Sequence, residues 1–227
     1  ITENGPITNL IFSQRYRGED SWDKEMAVDV VATKNIIDYL TGNITRQSNI
    51  THHGSAGVNP ANLKTITIIS SIAGQYIAEE QNIQYHLAKA ALNQLVRYYA
   101  AMLGPQGIRV NSVSPGTTIK EESQEFYAQN KELTELYQKI TPLRRMGVAD
   151  DVAKAVAFLC GDDASFITGQ NLIVDGGVSV QGHEALARRL SPLQNQVITQ
   201  SNLVQPNQVA NWNSKRNRPP PVKDRWD

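Results

Sequence analysis

A chain of 227 residues with 22 basic and 22 acidic side chains has room for one α/β domain and a tail. Its zero formal net charge gives no general attraction to nucleic acid or to an anionic membrane, and no apolar run approaches the ~20 residues of a membrane span. The single cysteine, Cys160, excludes an internal disulfide and suits a reducing compartment, so the expected location is cytoplasmic.

Asn4-Gly5-Pro6 signals a turn, and residues 7–12 read as a buried strand. A helix is expected from Asp20-Ser21 to about Leu40, with Met26, Val30, Thr33, Ile37 and Leu40 at helical spacing. A long polar loop over residues 41–64 follows. It holds two glycosylation-type triplets at Asn43 and Asn49, which read as chance matches. Its pair His52-His53 has no third ligand at useful spacing, so no metal site is expected. The β-branched run at 65–69 predicts a buried strand, closed by Ser70-Ser71-Ile72-Ala73-Gly74. A helix is predicted over 83–103, with Leu87, Ala91, Leu95 and Tyr99 on one side and Gly104-Pro105 and Gly107 ending it. A strand over 108–113 stops at Pro115-Gly116. One charged helix is expected over 122–140, another helix over 149–160, and a last strand over 170–174 before Asp175-Gly176-Gly177. Strands alternating with helices at these lengths predict a parallel sheet covered on both faces. Beyond about Leu190 the chain is rich in Gln, Asn, Pro and Arg without sustained periodicity, which predicts a disordered or extended tail. The expected division is a domain over 1–185 and a tail over 186–227.

Tyr85 and Lys89 stand four residues apart on the 83–103 helix and so share a face. An ammonium beside a phenol favours the phenolate, which suits a general acid or base. Ser71 lies just past the preceding strand, and active-site residues of parallel sheets gather at the carboxyl ends of strands. A hydroxyl there is placed to hold a substrate oxygen. The next strand ends at the same edge in Asn111-Ser112-Val113-Ser114-Pro115-Gly116.

The segments Ile-Ile-Ser-Ser-Ile-Ala-Gly (68–74), Tyr-His-Leu-Ala-Lys-Ala-Ala-Leu (85–92), Gly-Ile-Arg-Val-Asn-Ser-Val-Ser-Pro-Gly (107–116) and Ile-Thr-Gly-Gln-Asn-Leu-Ile-Val-Asp-Gly-Gly (167–177) together resemble the classical type of the short-chain dehydrogenase/reductase family, over about residues 7–177. The resemblance implies a Rossmann-like, doubly wound parallel sheet and an NAD(P)-dependent oxidoreductase that interconverts a carbonyl and an alcohol. It implies that Tyr85 exchanges the proton with substrate. Lys89 supports Tyr85 and binds the nicotinamide ribose, and Ser71 polarises the substrate oxygen. Pro115, Gly116 and the Thr118 backbone would lie along the nicotinamide. The cofactor is NAD or NADP, with the preference unreadable. The expected partners are a small-molecule substrate and further copies of the chain, as a dimer or tetramer, through the helix faces at 26–40 and 87–103.

The chain also departs from that family. No glycine-rich phosphate turn follows a strand; Gly54 and Gly57 sit in the polar loop. The chain reads as beginning at the family's fourth strand, and therefore as an N-terminally incomplete fragment. Phe12-Ser13-Gln14-Arg15 stands where the family has Asn-Asn-Ala-Gly. Asp29 replaces the helix asparagine of the proton relay, and Lys120 replaces a carboxamide-binding threonine. The polar segment after Gly116, with Phe126, Tyr127 and Tyr137, suits a sugar derivative or other polar metabolite, unless those aromatics enter the core. His86 is expected to be structural. Asp29, Lys120 and the absent phosphate turn favour a rival expectation, a non-catalytic relative kept for partner binding or assembly. Ser71, Tyr85 and Lys89 oppose it.

Overall fold

β-branched side chains pack well on a pleated backbone, and the run Thr65–Ile69 (β2) forms an inner strand of the sheet. The structure, a computed structural model, describes residues 7–42 and 62–191; the 43–61 part of the polar loop, with both glycosylation-type triplets and His52-His53, and the tail beyond Ser191 lie outside them. Four parallel strands make the main sheet in the order β1, β2, β3, β6. The others are Asn9–Phe12 (β1), Arg109–Pro115 (β3) and Asn171–Val174 (β6). Thr65 pairs with Asn9 on one side and Arg109 on the other, and Ser112 pairs with Asn171. β1 is an end strand of this described sheet. Its expected burial is accordingly confined to Phe12, while Ile11 is half exposed.

The crossover from β1 to β2 runs as an irregular segment to Ser21 and is then helical from Trp22 to Thr41: Trp22–Glu25 (α1), a π-helical turn Met26–Val31, and Ala32–Thr41 (α2), closed by Gly42 in the left-handed region at φ 69°. The buried positions are Glu25, Asp29, Thr33, Ile37 and Thr41, a stripe at strict four-residue spacing. The expected stripe shared only Thr33 and Ile37 with it. The π turn shifts the register of the face, and the buried side is more polar than a hydrophobic count selects.

The helix Ile83–Leu103 (α3) crosses from β2 to β3. Its buried face is Ala88, Leu92, Val96, Tyr99 and Leu103, with Lys89 and Asn93 beside it, whereas Leu87 is exposed. The stripe of Leu87, Ala91, Leu95 and Tyr99 is therefore rotated from the face that meets the sheet. Both stripes are apolar, and only packing on the sheet chooses between them. This face joins Phe12, Ile37, Ile66, Ile68 and Val110 in one core. The Tyr99 hydroxyl donates to Asp38 at 2.6 Å, tying α3 to α2.

Ala149–Cys160 (α6) covers the opposite face, where Val156 and Leu159 meet Val113, Ile69 and Val174. Arg109 donates to the carbonyls of Leu159 at 2.8 Å and Gly161 at 2.9 Å, capping the carboxyl end of α6. Asn111 accepts from the Gln170 amide at 3.0 Å and donates to the Ile167 carbonyl at 2.9 Å, which sets the entry to β6. The Arg and Asn of the Gly-Ile-Arg-Val-Asn segment thus have structural work.

The expected helix over 122–140 is broken into Gln124–Gln129 (α4) and Lys131–Ile140 (α5), because Asn130 leaves helical geometry at φ −102°, ψ 68°. A two-stranded sheet of Thr118–Ile119 (β4) and Gly147–Val148 (β5), and the helix His183–Leu190 (α7), went unpredicted. The chain divides into two units, Ile1–Leu186 and Ala187–Asp227. No helix among the described residues is long and apolar enough to cross a membrane.

Candidate active site

Parallel strands send their carboxyl ends to one edge. Here that edge collects the segments after Phe12, Ile69, Pro115 and Val174. α3 starts beside it. The Asn82 side chain accepts the Tyr85 amide hydrogen at 3.0 Å and fixes the first turn. His86 reinforces that turn: its Nε2 accepts from the Ala78 amide at 3.0 Å, and its Nδ1 meets the Asn82 carbonyl at 2.8 Å. His86 is structural, as its place on the helix implied.

Tyr85 is half-buried, and the Lys89 Nζ lies 5.4 Å from its ring centroid. Lys89 is itself buried and donates to the Asp29 Oδ2 at 2.5 Å, both side chains being at most 3% exposed. The other Asp29 oxygen accepts the Tyr16 amide at 3.1 Å. Asp29 stands on the π turn, where the Ala32 amide reaches back five residues to the Ala27 carbonyl; such turns are frequent at functional sites. The structure thus joins Asp29, Lys89 and Tyr85. The lysine charge, however, is met first by a carboxylate, so it does not stand beside the phenol alone.

A second cation was not anticipated. The Arg15 guanidinium stacks 4.4 Å from the Tyr85 centroid and donates to the Gln81 side chain at 3.0 Å. Its one sequence signal was its place three residues past β1.

The two serines separate by task. Ser70 is buried and its hydroxyl donates to the Lys89 carbonyl at 3.1 Å, so it braces α3. Ser71 is half-buried and accepts the Ala73 amide at 3.1 Å, capping the short turn Ile72–Gly74. Since a hydroxyl has one donor and two acceptor lone pairs, Ser71 keeps a hydrogen to give. Gly74 permits the close approach: a Cβ there would lie 2.9 Å from the Lys89 carbonyl carbon and 2.8 Å from the Asn93 side-chain Nδ2.

Pro115 ends β3 opposite Val174, and the Gly116 amide donates to the Val174 carbonyl at 3.0 Å. A Cβ on Gly116 would meet Asp175 at 2.7 Å, so this glycine is needed for packing against the β6 end whatever else it contacts. The Thr118 hydroxyl donates to the Gly116 carbonyl at 3.0 Å.

A polar cleft of about 540 Å³ adjoins these groups, with Arg15, Glu25, Asn82, Thr118, Lys120 and Tyr127 in its lining. Partial desolvation and then the nearby Arg15 hold the Lys120 ammonium below the ordinary lysine range. Neither α4 nor α5 buries a residue, and Phe126 is half exposed, so these aromatics are not core. Tyr127 instead meets Tyr137 edge-on at 6.2 Å. Cys160 packs half-buried against Thr67. Among the described residues no group of His, Cys, Asp and Glu is arranged to hold a metal.

The sheet, its covering helices and the polar grouping at the strand ends define a Rossmann-like α/β protein. A family model described as enoyl-(acyl carrier protein) reductase matches residues 18–179. The chain is 39% identical over 111 residues to an A-factor type gamma-butyrolactone 1'-reductase (1S-forming) of Streptomyces virginiae, covering 49% of this chain and 43% of that one. It is 31% identical over 159 residues to dehydrogenase/reductase SDR family member 4 of Mus musculus, covering 70% and 51%. Among solved structures, a 4-hydroxyisoleucine dehydrogenase complexed with NADH superposes with a TM-score of 0.64 at 27% identity, over 80% of this chain and 72% of that one. The chain belongs to the short-chain dehydrogenase/reductase family. It spans about half the length of the curated relatives it matches.

Proposed function

We propose that the chain carries the proton-handling part of an NAD(P)-dependent oxidoreductase that interconverts a carbonyl and an alcohol. The observation that carries this reading is Tyr85 at the carboxyl edge of the sheet, with the Arg15 guanidinium and the Lys89 ammonium beside its ring at 4.4 and 5.4 Å. The Tyr85 hydroxyl exchanges a proton with the substrate oxygen. Ser71 donates its remaining hydrogen to that oxygen, and two cations stand beside the ring that gives up the proton.

The donor set fits the nicotinamide end of the cofactor. Lys89 gives one hydrogen to Asp29 and, as an ammonium, has two more for ribose hydroxyls. Pro115, Gly116 and the Thr118 backbone would lie along the ring. The bound nicotinamide supplies the hydride chemistry. A glycine-rich phosphate turn is not among the described residues, so the reading assigns no group to the pyrophosphate. The likeness to a dehydrogenase complexed with NADH supports the cofactor class.

The cleft's lining supports a small polar substrate, a sugar derivative or similar hydroxylated metabolite, as does the likeness to a 4-hydroxyisoleucine dehydrogenase. We place the protein in the cytoplasm and as a dimer or tetramer built on the outward faces of α2 and α3, where Ile36, Tyr39, Tyr98 and Met102 are about half exposed. One observation favours the rival, a non-catalytic relative: the Lys89 ammonium is held in a buried ion pair with Asp29. Fluorescence titration of the complete gene product with NADH and NADPH decides, since a catalytic protein binds at least one. Tyr85→Phe then lowers turnover by about 10²–10⁴-fold with cofactor affinity nearly unchanged. Turnover retained in that variant refutes the assignment.

A further inference from the structure

Glu25 is a buried titratable group to which the reading above gives no task. It is the last residue of α1, only 5% exposed, and its Oε1 has no hydrogen-bond partner among the described residues. An unpaired buried carboxylate is costly. A glutamate kept for structure would hold a cation, but the cations acting on Glu25 are otherwise engaged: Lys89 with Asp29, Arg15 with Gln81 and the Tyr85 ring. Glu25 is also in the lining of the polar cleft. It precedes Asp29 by four residues on the same buried stripe. The groups therefore form a row: cleft, Glu25, Asp29, Lys89, Tyr85.

We propose that Glu25 is the outer station of a proton path that runs through Asp29 and Lys89 and reprotonates Tyr85 from the cleft. This rests on Tyr85 being the proton donor. In the reducing direction the Tyr85 O–H bond breaks and an O–H bond forms on the substrate oxygen, leaving a phenolate. The Lys89 ammonium passes a proton to the phenolate and becomes an amine. Glu25 gives its proton to the Asp29 carboxylate, directly or through one water, and Asp29 gives it to the amine. The Glu25 carboxylate takes a proton from water in the cleft. One proton has moved from cleft to substrate, each relay group has regained its starting state, and none has changed oxidation state.

The surroundings raise the pKa of this carboxyl above its ordinary value: burial raises it most, Asp29 next and Asp20 less, while Arg15 and Lys89 oppose them. The other charged groups of the cleft are Arg17 and Glu19, on the segment before α1, and Lys120 and Glu122, on the stretch between β4 and α4, with Arg17 and Glu122 paired at 2.9 Å.

Two measurements test the path. Infrared titration of the protein without substrate should show a protonated-carboxyl stretch that persists above the ordinary glutamate range. Glu25→Gln should remove it, and Asp29→Asn should move its titration to lower pH. Absence of the band, or its survival in Glu25→Gln, overturns the proposal. In turnover assays of the complete gene product, Glu25→Gln should lower kcat about tenfold, less than loss of a group that meets substrate directly. KM should be unchanged, and acetate buffer, whose acid can enter the cleft, should restore the rate. An unchanged kcat, or a loss that acetate does not restore in a folded variant, overturns it. If Tyr85→Phe abolishes turnover while Glu25→Gln does not alter it, the relay fails and the Tyr85 assignment stands. If Tyr85→Phe retains turnover, the assignment itself fails, and the relay with it.

Discussion

Two acidic side chains, Glu25 and Asp29, are buried on one short stretch beside this site. Asp29 is fully buried and bound to a buried ammonium. Desolvation offsets much of the attraction in such a pair, yet removing one partner leaves the other charged and unpaired. Asp29→Ala should therefore destabilise the fold by about 3–5 kcal/mol, measured by urea denaturation, with Asp29→Asn costing less because an amide still receives the lysine. Glu25 behaves in the opposite sense. Its folded-state pKa is raised from the ordinary 4.5, so the folded protein binds this proton more tightly than the unfolded chain. Below the ordinary value both states are protonated and the wild type bears no penalty. As pH rises through the folded value, stability falls. Glu25→Gln should thus match the wild type in acid and exceed it at neutral pH. Urea midpoints across a pH series check this; equal midpoints at neutral pH would contradict it.

At the scale of elements, the site depends on how closely α3 can lie against the end of β2. The Ser70 hydroxyl holds the Lys89 carbonyl at 3.1 Å, and Gly74 leaves room for the same backbone. Gly74→Ala forces a Cβ to 2.9 Å from the Lys89 carbonyl carbon. The expected cost is about 1–3 kcal/mol, typical of overpacking. A fall in turnover should accompany it, because Lys89 and Tyr85 move with the helix. Thermal melts and kinetics on the one variant read both. The Ser-Ser-Ile-Ala-Gly segment was legible as a strand end beside a helix. That its first serine is a strut and its glycine a point of close approach was not, because both roles belong to contacts with residues 15 or more positions away.

For the whole molecule, the sheet has one core with α2 and α3 and another with α6, and the outward sides of α2 and α3 keep large apolar side chains exposed. If copies associate there, Met102→Glu, at a position 50% exposed, should shift sedimentation toward the monomer with little change in helix content. An unaltered sedimentation profile would remove that face from the interface.

The alternation of strands and helices, the bounds of β2, α3 and α6, and the arrival of the segments holding Ser71, Pro115 and Gly116 at one sheet edge were readable along the chain. They follow from local periodicity and from the rule that parallel strands end on the same side. Which stripe of α3 faces the sheet, the π turn that turns Asp29 inward, the Arg15 guanidinium over Tyr85, and the burial of Glu25 were decided only by the tertiary structure. Sequence spacing fixes which residues share a face. It does not fix what that face meets, and the energy of a buried charge depends on the partner it meets there.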